Sequence, residues 1–258
     1  MRRLLAATLA VFFFAAILGF AQDSVPTTAT PKTPRCSGSL GTDLKSRYFG
    51  STVDAVFADQ LVLQSWLDVG CAAGPKTTIT VGIWDSIGQR PFKTNATETD
   101  LSFGIAREFG KGITVQGTGS IFFLNKNAGF DVLVGDLKVS KTFASSSNTV
   151  TPYAEVQGYH LTNRVAVHGS VYPMLGVAYT HKFSGRLSLS TVAHENYDSR
   201  GGFGFRKSTH TFYAEAGLRI AVSDSVTVTI PRVAYGGAWN DSGRPKKATY
   251  SMGIAKTF

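Results

Sequence analysis

The side chains best suited to chemistry in this sequence are five histidines, two cysteines and a series of charged and amide residues that recur at every second position of extended segments. His160 and His210 fall on apolar faces with Ser170 and Ser208 near the same segment ends. A serine activated by a histidine is an ester-hydrolysing pair, but a third group that would orient the histidine does not follow at a usable spacing. The histidines therefore read as loop or interface residues, and no catalytic residue is expected. Cys36 and Cys71 form either one disulfide or two free thiols, and their spacing leaves both open. No metal-ligand spacing or nucleic-acid motif occurs, and Gly201-Gly-Phe-Gly-Phe205 sits in a polar link where glycine gives flexibility rather than phosphate binding. Neither cofactor nor metal is expected.

The alternating polar set is the larger signal. Gln64, Asp68, Asp100, Glu108, Gln116, Asp136, Lys138, Glu155, Gln157, Lys182, Arg186, His194, Glu215 and Arg219 each lie opposite in parity to an apolar series. Alternation of period two places the two series on opposite faces of a strand. If the strands close on themselves, this set lines the inside.

Twelve such segments follow one another. They are Leu44 to Val53, Gln60 to Val69, Lys76 to Trp84, Glu98 to Phe109, Gly112 to Phe123 and Asp131 to Phe143, then Thr149 to Tyr159, Val171 to Phe183, Arg186 to Glu195, Thr209 to Val222, Ser225 to Tyr235 and Tyr250 to Phe258. Their lengths suit tilted membrane-spanning strands. The eleventh loses phase at Pro231, which predicts a bulge or edge distortion. Tight turns at Gly110-Lys111, Ser184-Gly185 and Ser223-Asp224 alternate with long polar links such as Asp85 to Thr97 and Asn196 to Ser208. Short turns at one end and long loops at the other are the asymmetry of an outer-membrane barrel. The expected fold is all-β, a transmembrane antiparallel up-and-down β-barrel of about twelve strands over residues 44–258.

Several segments close alike. Gly253-Ile-Ala-Lys-Thr-Phe258 echoes Gly104-Ile-Ala-Arg-Glu-Phe109, and Phe143 and Phe183 end segments with Lys141 and His181 two residues before them. Phe109, Phe143, Phe183, Tyr250 and Phe258 are expected to form a membrane girdle, beside cations that snorkel to lipid phosphates, with Phe258 also acting as an assembly signal.

Residues 1–21 read as a cleavable signal peptide: Arg2 and Arg3, then an apolar run from Leu4 to Phe20, then Gly19-Phe20-Ala21. Residues 22–43, rich in Pro, Thr and Ser, read as a periplasmic linker. No later apolar run is long enough for a membrane-spanning helix. Yet the chain is 43% hydrophobic and only 17% charged, a balance that a barrel accommodates by alternation. The formal charge of +9 is spread over strand ends and loops rather than clustered, which excludes a nucleic-acid footprint. Basic links carrying Arg90, Lys93, Lys126, Arg164, Arg200, Arg206, Lys207, Arg244, Lys246 and Lys247 suit acidic lipid headgroups or anionic solutes.

Ser46-Arg-Tyr-Phe-Gly50, Val62-Leu-Gln-Ser-Trp-Leu-Asp-Val69, Val81-Gly-Ile-Trp84 and Thr97-Glu-Thr-Asp100 together resemble the opening hairpins of the TorF-type porins. The resemblance covers roughly the first four strands and the Phe ending; the linker with Cys36 departs from it. It implies a passive channel with no catalytic residues. The expectation is therefore a bacterial outer-membrane porin or small-solute channel, meeting outer-membrane lipids, lipopolysaccharide, the barrel-assembly machinery and small solutes, but no nucleic acid. The alternatives are a non-conducting barrel that binds through its loops and an outer-membrane lipid-modifying hydrolase.

Overall fold

The computed structural model describes residues 36–50, 55–88, 98–124, 131–162, 170–198, 209–239 and 247–258. The signal segment, residues 22–35 of the linker and every loop cation named above except Lys247 lie outside them.

The described strands are β1 (Cys36–Lys45), β2 (Tyr48–Gly50), β3 (Ala55–Ala58), β4 (Val62–Gly74), β5 (Thr77–Gly88), β6 (Glu98–Phe109), β7 (Ile113–Leu124), β8 (Val132–Lys141), β9 (Phe143–Ala144), β10 (Asn148–Leu161), β11 (Ser170–Lys182), β12 (Leu187–Asp198), β13 (Thr209–Ala221), β14 (Val226–Ala238) and β15 (Lys247–Thr257). β2 and β3 form a separate small hairpin. β8 and β9 are one course of chain broken at Thr142, so the rest make a closed antiparallel barrel of 12 strands. Each strand pairs with its sequence neighbour, and β15 closes on β1 from Ser39↔Thr257 to Lys45↔Ser251. Closure leaves no sheet edge, so every strand has a partner on both sides.

Alternation decides the facing. Along β8, Val132 and Val134 are buried while Leu133, Leu137 and Val139 are exposed on the outer wall. Leu40, Leu67, Ile83, Phe103, Ile105, Leu175, Met252 and Ile254 extend this apolar outer face around the barrel. An apolar exterior over a polar interior is the inverse of a soluble protein and matches a lipid environment.

The tight connections all lie at one end, including a left-handed turn through Lys111 (φ 61°) and Gly112 (φ 74°). Here Ser184 Oγ accepts from the N–H groups of Arg186 (3.3 Å) and Leu187 (3.1 Å). That cap puts Arg186 in the turn, outside the lumen wall to which its parity assigned it. At Pro231 the β13–β14 and β14–β15 ladders both shift register, and the Ile230–Pro231 peptide bond is cis. The phase change expected there is a bulge. Before it Thr227 and Thr229 face inward; after it Arg232 and Ala234 do.

Two expectations are corrected at the start of the barrel. The first barrel strand is Cys36–Lys45, not Leu44 to Val53, so residues 36–43 belong to the barrel rather than to a linker. Pairing on both sides, with β15 and with β4, makes a strand of this Ser- and Gly-rich stretch. Cys36 stands directly opposite Cys71 in the β1–β4 register, and the two form a disulfide on the outward face near the short-turn end.

Candidate functional site

The inner wall holds a chain of polar contacts that begins at the closing seam. Asp43 on β1 is 5% exposed and accepts a hydrogen bond from Arg232 Nη1 on β14. β15 lies between them, and its residue at that level is Gly253, where a Cβ would overlap the Asp43 carboxylate. Arg232 Nε also reaches Glu215 Oε1 at 3.4 Å, and Glu215 accepts from the Tyr213 hydroxyl at 2.7 Å. Tyr213 stacks on His194, with ring centroids 5.2 Å apart and planes 22° from parallel.

His194 Nδ1 then meets the Tyr153 hydroxyl at 3.2 Å, bridging from β12 to β10 across β11. The crossing point is again a glycine: a Cβ on Gly176 would collide with the Tyr153 ring. Lys138 Nζ sits 3.9 Å above the centre of that ring and 3.1 Å from Glu155 Oε2. Glu155 accepts from Gln157 Nε2, and Gln157 Oε1 accepts from Tyr159 at 2.8 Å. Trp66 follows the same rule, its ring lying over Gly41 of the neighbouring strand. Large inward side chains thus lie along the wall, over positions that lack a Cβ.

Gln64, Asp68, Asp100, Glu108, Gln116, Asp136, Lys138, Glu155, Gln157, Lys182, His194, Glu215 and Arg219 all stand on the inward parity of their strands. Glu108, Lys182 and Arg219 lie at the short-turn mouth, exposed to solvent. Asp43, Tyr153, Tyr213 and Arg232 were absent from the expected set although they hold the belt together. Arg232 could have been found by letting the phase change at Pro231 move the inward series to even numbers.

The interior is also less uniformly polar than its parity series predicts. Val132, Val134, Tyr159, Leu161 and Tyr172 form a buried cluster inside the barrel, with Phe122 and Leu124 packed against it. Its rings meet edge to face, Tyr159 with Tyr172 at 5.0 Å and Phe122 with Tyr159 at 6.3 Å. Beside it, on β4 to β6, lies a polar row of Gln64, Ser86 and Glu98 in direct register, with Asp100 two residues further along β6; Leu124 and Phe122 on β7 are the register partners of Glu98 and Asp100. Tyr48, from the β2–β3 hairpin, donates to Glu98 Oε2 at 2.7 Å and packs on Trp84 at 5.6 Å. Burial, and after it the Glu98 carboxylate, push the Tyr48 phenol well above its usual range, so it acts as a neutral donor. Asp59 fixes the hairpin region through Arg47 at 3.2 Å and Lys247 at 3.9 Å.

On the outer wall, Arg107 lies over Phe109 at 5.6 Å and Lys141 over Phe143 at 4.9 Å, while the His181 and Phe183 rings meet at 4.6 Å. The basic residue two places before each Phe therefore touches it, because both stand on the same outward face. The Phe258 ring lies over Gly38. Tyr250 is outward too but sits near the opposite end, in line with Tyr197, Tyr235 and Trp239. That makes a second aromatic band at the long-link end.

Of the hydrolase candidates, His160 points outward opposite Leu133, whereas Ser170 faces inward opposite Tyr159 and is 1% exposed. They stand on different sides of the wall and cannot act as a pair. His210 Nδ1 lies 3.1 Å from Glu195 Oε1 on the outer face, and Ser208 is outside the described residues.

No known protein family matches the chain, and no curated protein does. Solved structures do. The chain is similar to an outer-membrane channel from Pseudomonas putida F1, with 8% identity over 91% of this chain and 100% of that one and a TM-score of 0.58. It is similar to the NanC porin, with 9% identity over 84% and 98% and a TM-score of 0.54. The translocator domain of the autotransporter NalP from Neisseria meningitidis shares 12% identity over 98% and 96%, with a TM-score of 0.52.

Proposed function

We propose that the protein is exported by a cleaved signal peptide and works in the outer membrane as a passive channel for small solutes. The observation that carries this reading is that three inward side chains lie over glycines of a neighbouring strand. Asp43 over Gly253, Tyr153 over Gly176 and Trp66 over Gly41 are held against the wall instead of projecting across the lumen. A barrel filled by its own side chains has no use for such glycines, whereas a conduit keeps its cross-section through them. Twelve strands lie between the eight that side chains fill and the sixteen or more that leave a wide channel. Ion pairs of Asp43 and Glu215 with Arg232 and of Glu155 with Lys138 place both signs of charge on the inner wall.

The TorF-type resemblance points the same way. In this reading the girdle cations Arg107, Lys141 and Lys256 meet lipid phosphates, lipopolysaccharide borders the long-link end, and Phe258 is engaged by the barrel-assembly machinery. No catalytic residue is assigned. Liposomes containing the folded protein are expected to swell in isotonic small sugars, and failure to swell with any solute that permeates a general porin would refute the channel.

The His210–Glu195 pair favours one other reading, an outer-wall lipid hydrolase in which Glu195 orients the histidine. It requires a nucleophile, and Ser208 is the candidate. Release of fatty acid from outer-membrane lipid, lost in Ser208→Ala and His210→Ala alike, would support that reading over the channel.

A further inference from the structure

Three carboxylates of the polar belt are matched by a cation: Glu155 by Lys138, and Asp43 and Glu215 by Arg232. Glu98 and Asp100 are not. Among the described residues neither has a lysine, arginine or histidine within ion-pair distance, although Glu98 is only 4% exposed. They stand two residues apart on the same inward face of β6, so their side chains are neighbours. Two adjacent carboxylates in a poorly hydrated wall repel each other, and a buried charge without a counter-charge is costly.

Independent polar groups converge on the same place. Ser86, directly opposite Glu98 in the β5–β6 register, is fully buried, and its hydroxyl has no hydrogen-bond partner. Gln64, opposite Ser86, is 3% exposed with its Nε2 unpartnered. Asp100 Oδ1 is likewise buried and unpartnered. Buried polar groups are almost always satisfied, so three such groups on adjacent strands within two residues of one register mark a place where a partner belongs. Tyr48 and Trp84 place two aromatic rings beside the row, with centroids 5.6 Å apart. The buried apolar cluster adjoins the row, since Leu124 and Phe122, which pack on that cluster, pair in register with Glu98 and Asp100.

We propose that Glu98, Asp100, Ser86 and Gln64 form a binding site in the lumen for the ammonium or guanidinium group of a small organic cation. The inference rests on the channel reading and names the solute class that such a channel would favour. A primary ammonium carries three donors and a guanidinium five, which the two carboxylates and the Ser86 hydroxyl accept. The Tyr48 and Trp84 rings add attraction for a cation at their faces, and the partly buried Phe122 and Leu124 beside the carboxylates suit the hydrocarbon part of the solute. A resident divalent metal fits less well, because no three Asp, Glu, His or Cys side chains converge among the described residues.

The test is equilibrium binding to the folded, detergent-solubilised full chain by titration calorimetry, with putrescine, arginine amide and calcium chloride as probes. Binding does not require conduction, so this result stands apart from the channel assay. Both amines are expected to bind, and Glu98→Gln and Asp100→Asn are expected to weaken them by about tenfold or more, as loss of one partner of a buried charge contact does. Asp224→Asn, which removes one negative charge in a remote turn, should leave binding unchanged. Heat-modifiable mobility checks that each variant is folded; if an acidic variant does not fold, Ser86→Ala serves instead and should weaken binding several-fold. Calcium binding without amine binding, amine binding insensitive to all three substitutions, or no amine binding to the wild-type protein would each overturn the proposal.

Discussion

Asp43 and Arg232, 189 residues apart in sequence, are joined by a hydrogen-bonded ion pair that straddles the seam where the first barrel strand meets the last. The pair crosses β15 at Gly253, the residue that opens the closing Gly-Ile-Ala-Lys-Thr-Phe sequence. Backbone hydrogen bonds alone would close the barrel in more than one register; a side-chain bridge over one glycine favours the observed one.

Removing the cation should therefore be costly. Arg232→Met leaves the Asp43 carboxylate buried without a partner and strips Glu215 of its ion pair. Loss of one partner of a buried pair costs about 3–5 kcal/mol. Urea unfolding of the detergent-folded protein should register a drop of that order, and Asp43→Asn combined with Arg232→Met should cost less than the sum of the two single changes. Additive losses would mean that the two residues do not interact.

Gly176 is predicted to matter for the lumen rather than for the fold. In Gly176→Val the new side chain occupies the place of the Tyr153 ring, which must leave the wall, losing its 3.2 Å bond to His194. The variant should fold and show reduced single-channel conductance. Gly185→Val in the tight turn, where a Cβ meets nothing within 4 Å, should conduct as wild type. Equal conductance in both variants would show that Tyr153 does not bound the lumen.

The Cys36–Cys71 disulfide spans a separation of 35 residues and pins the β1–β4 register at its end. By chain entropy such a link is worth about 3–4 kcal/mol, while the ladder itself remains without it. Reduction should lower the unfolding midpoint and preserve the barrel's heat-modifiable mobility on a detergent gel. A midpoint that does not move on reduction would remove the bond from the stability account.

At the short-turn end the Phe258 ring covers Gly38, and the backbones of the two residues exchange hydrogen bonds at 2.9 and 3.0 Å. Phe258→Ala uncovers that glycine and the strand ends on either side of it. Assembly into liposomes should slow, while conductance of the molecules that do assemble is unchanged. Gly38→Val, which displaces the ring without removing it, should show the same assembly defect. Normal assembly of both variants would leave the contact without a role.

Much of this architecture was legible because a lipid-facing strand leaves a period-two signature that nothing else overrides. Glu98–Phe109 could be read to the residue, and the phase loss at Pro231 pointed to a real bulge. β1 was not legible: its outward series Cys36, Gly38, Leu40, Thr42 and Leu44 is too weakly apolar to stand out from a Ser/Thr-rich leader, and pairing on both sides supplies what the pattern lacks. The belt was half legible for a related reason. Parity says which side chains face the lumen, but which of them meet depends on register. The crossings at Gly176 and Gly253 depend further on what is missing from the strand between. Tyr153 and Tyr213 share the polar, inward parity of their segments yet fall outside the expected set, which holds only charged, amide and imidazole side chains, whereas an aromatic ring with a hydroxyl serves as both wall and hydrogen-bond partner.

Single-channel recording in a planar bilayer tests the central claim most directly. Purified protein that has passed the heat-modifiable mobility check should insert and give discrete, reproducible conductance steps, and those steps should shrink in Gly176→Val. A folded, inserted barrel that never conducts at any voltage or salt concentration would contradict the account.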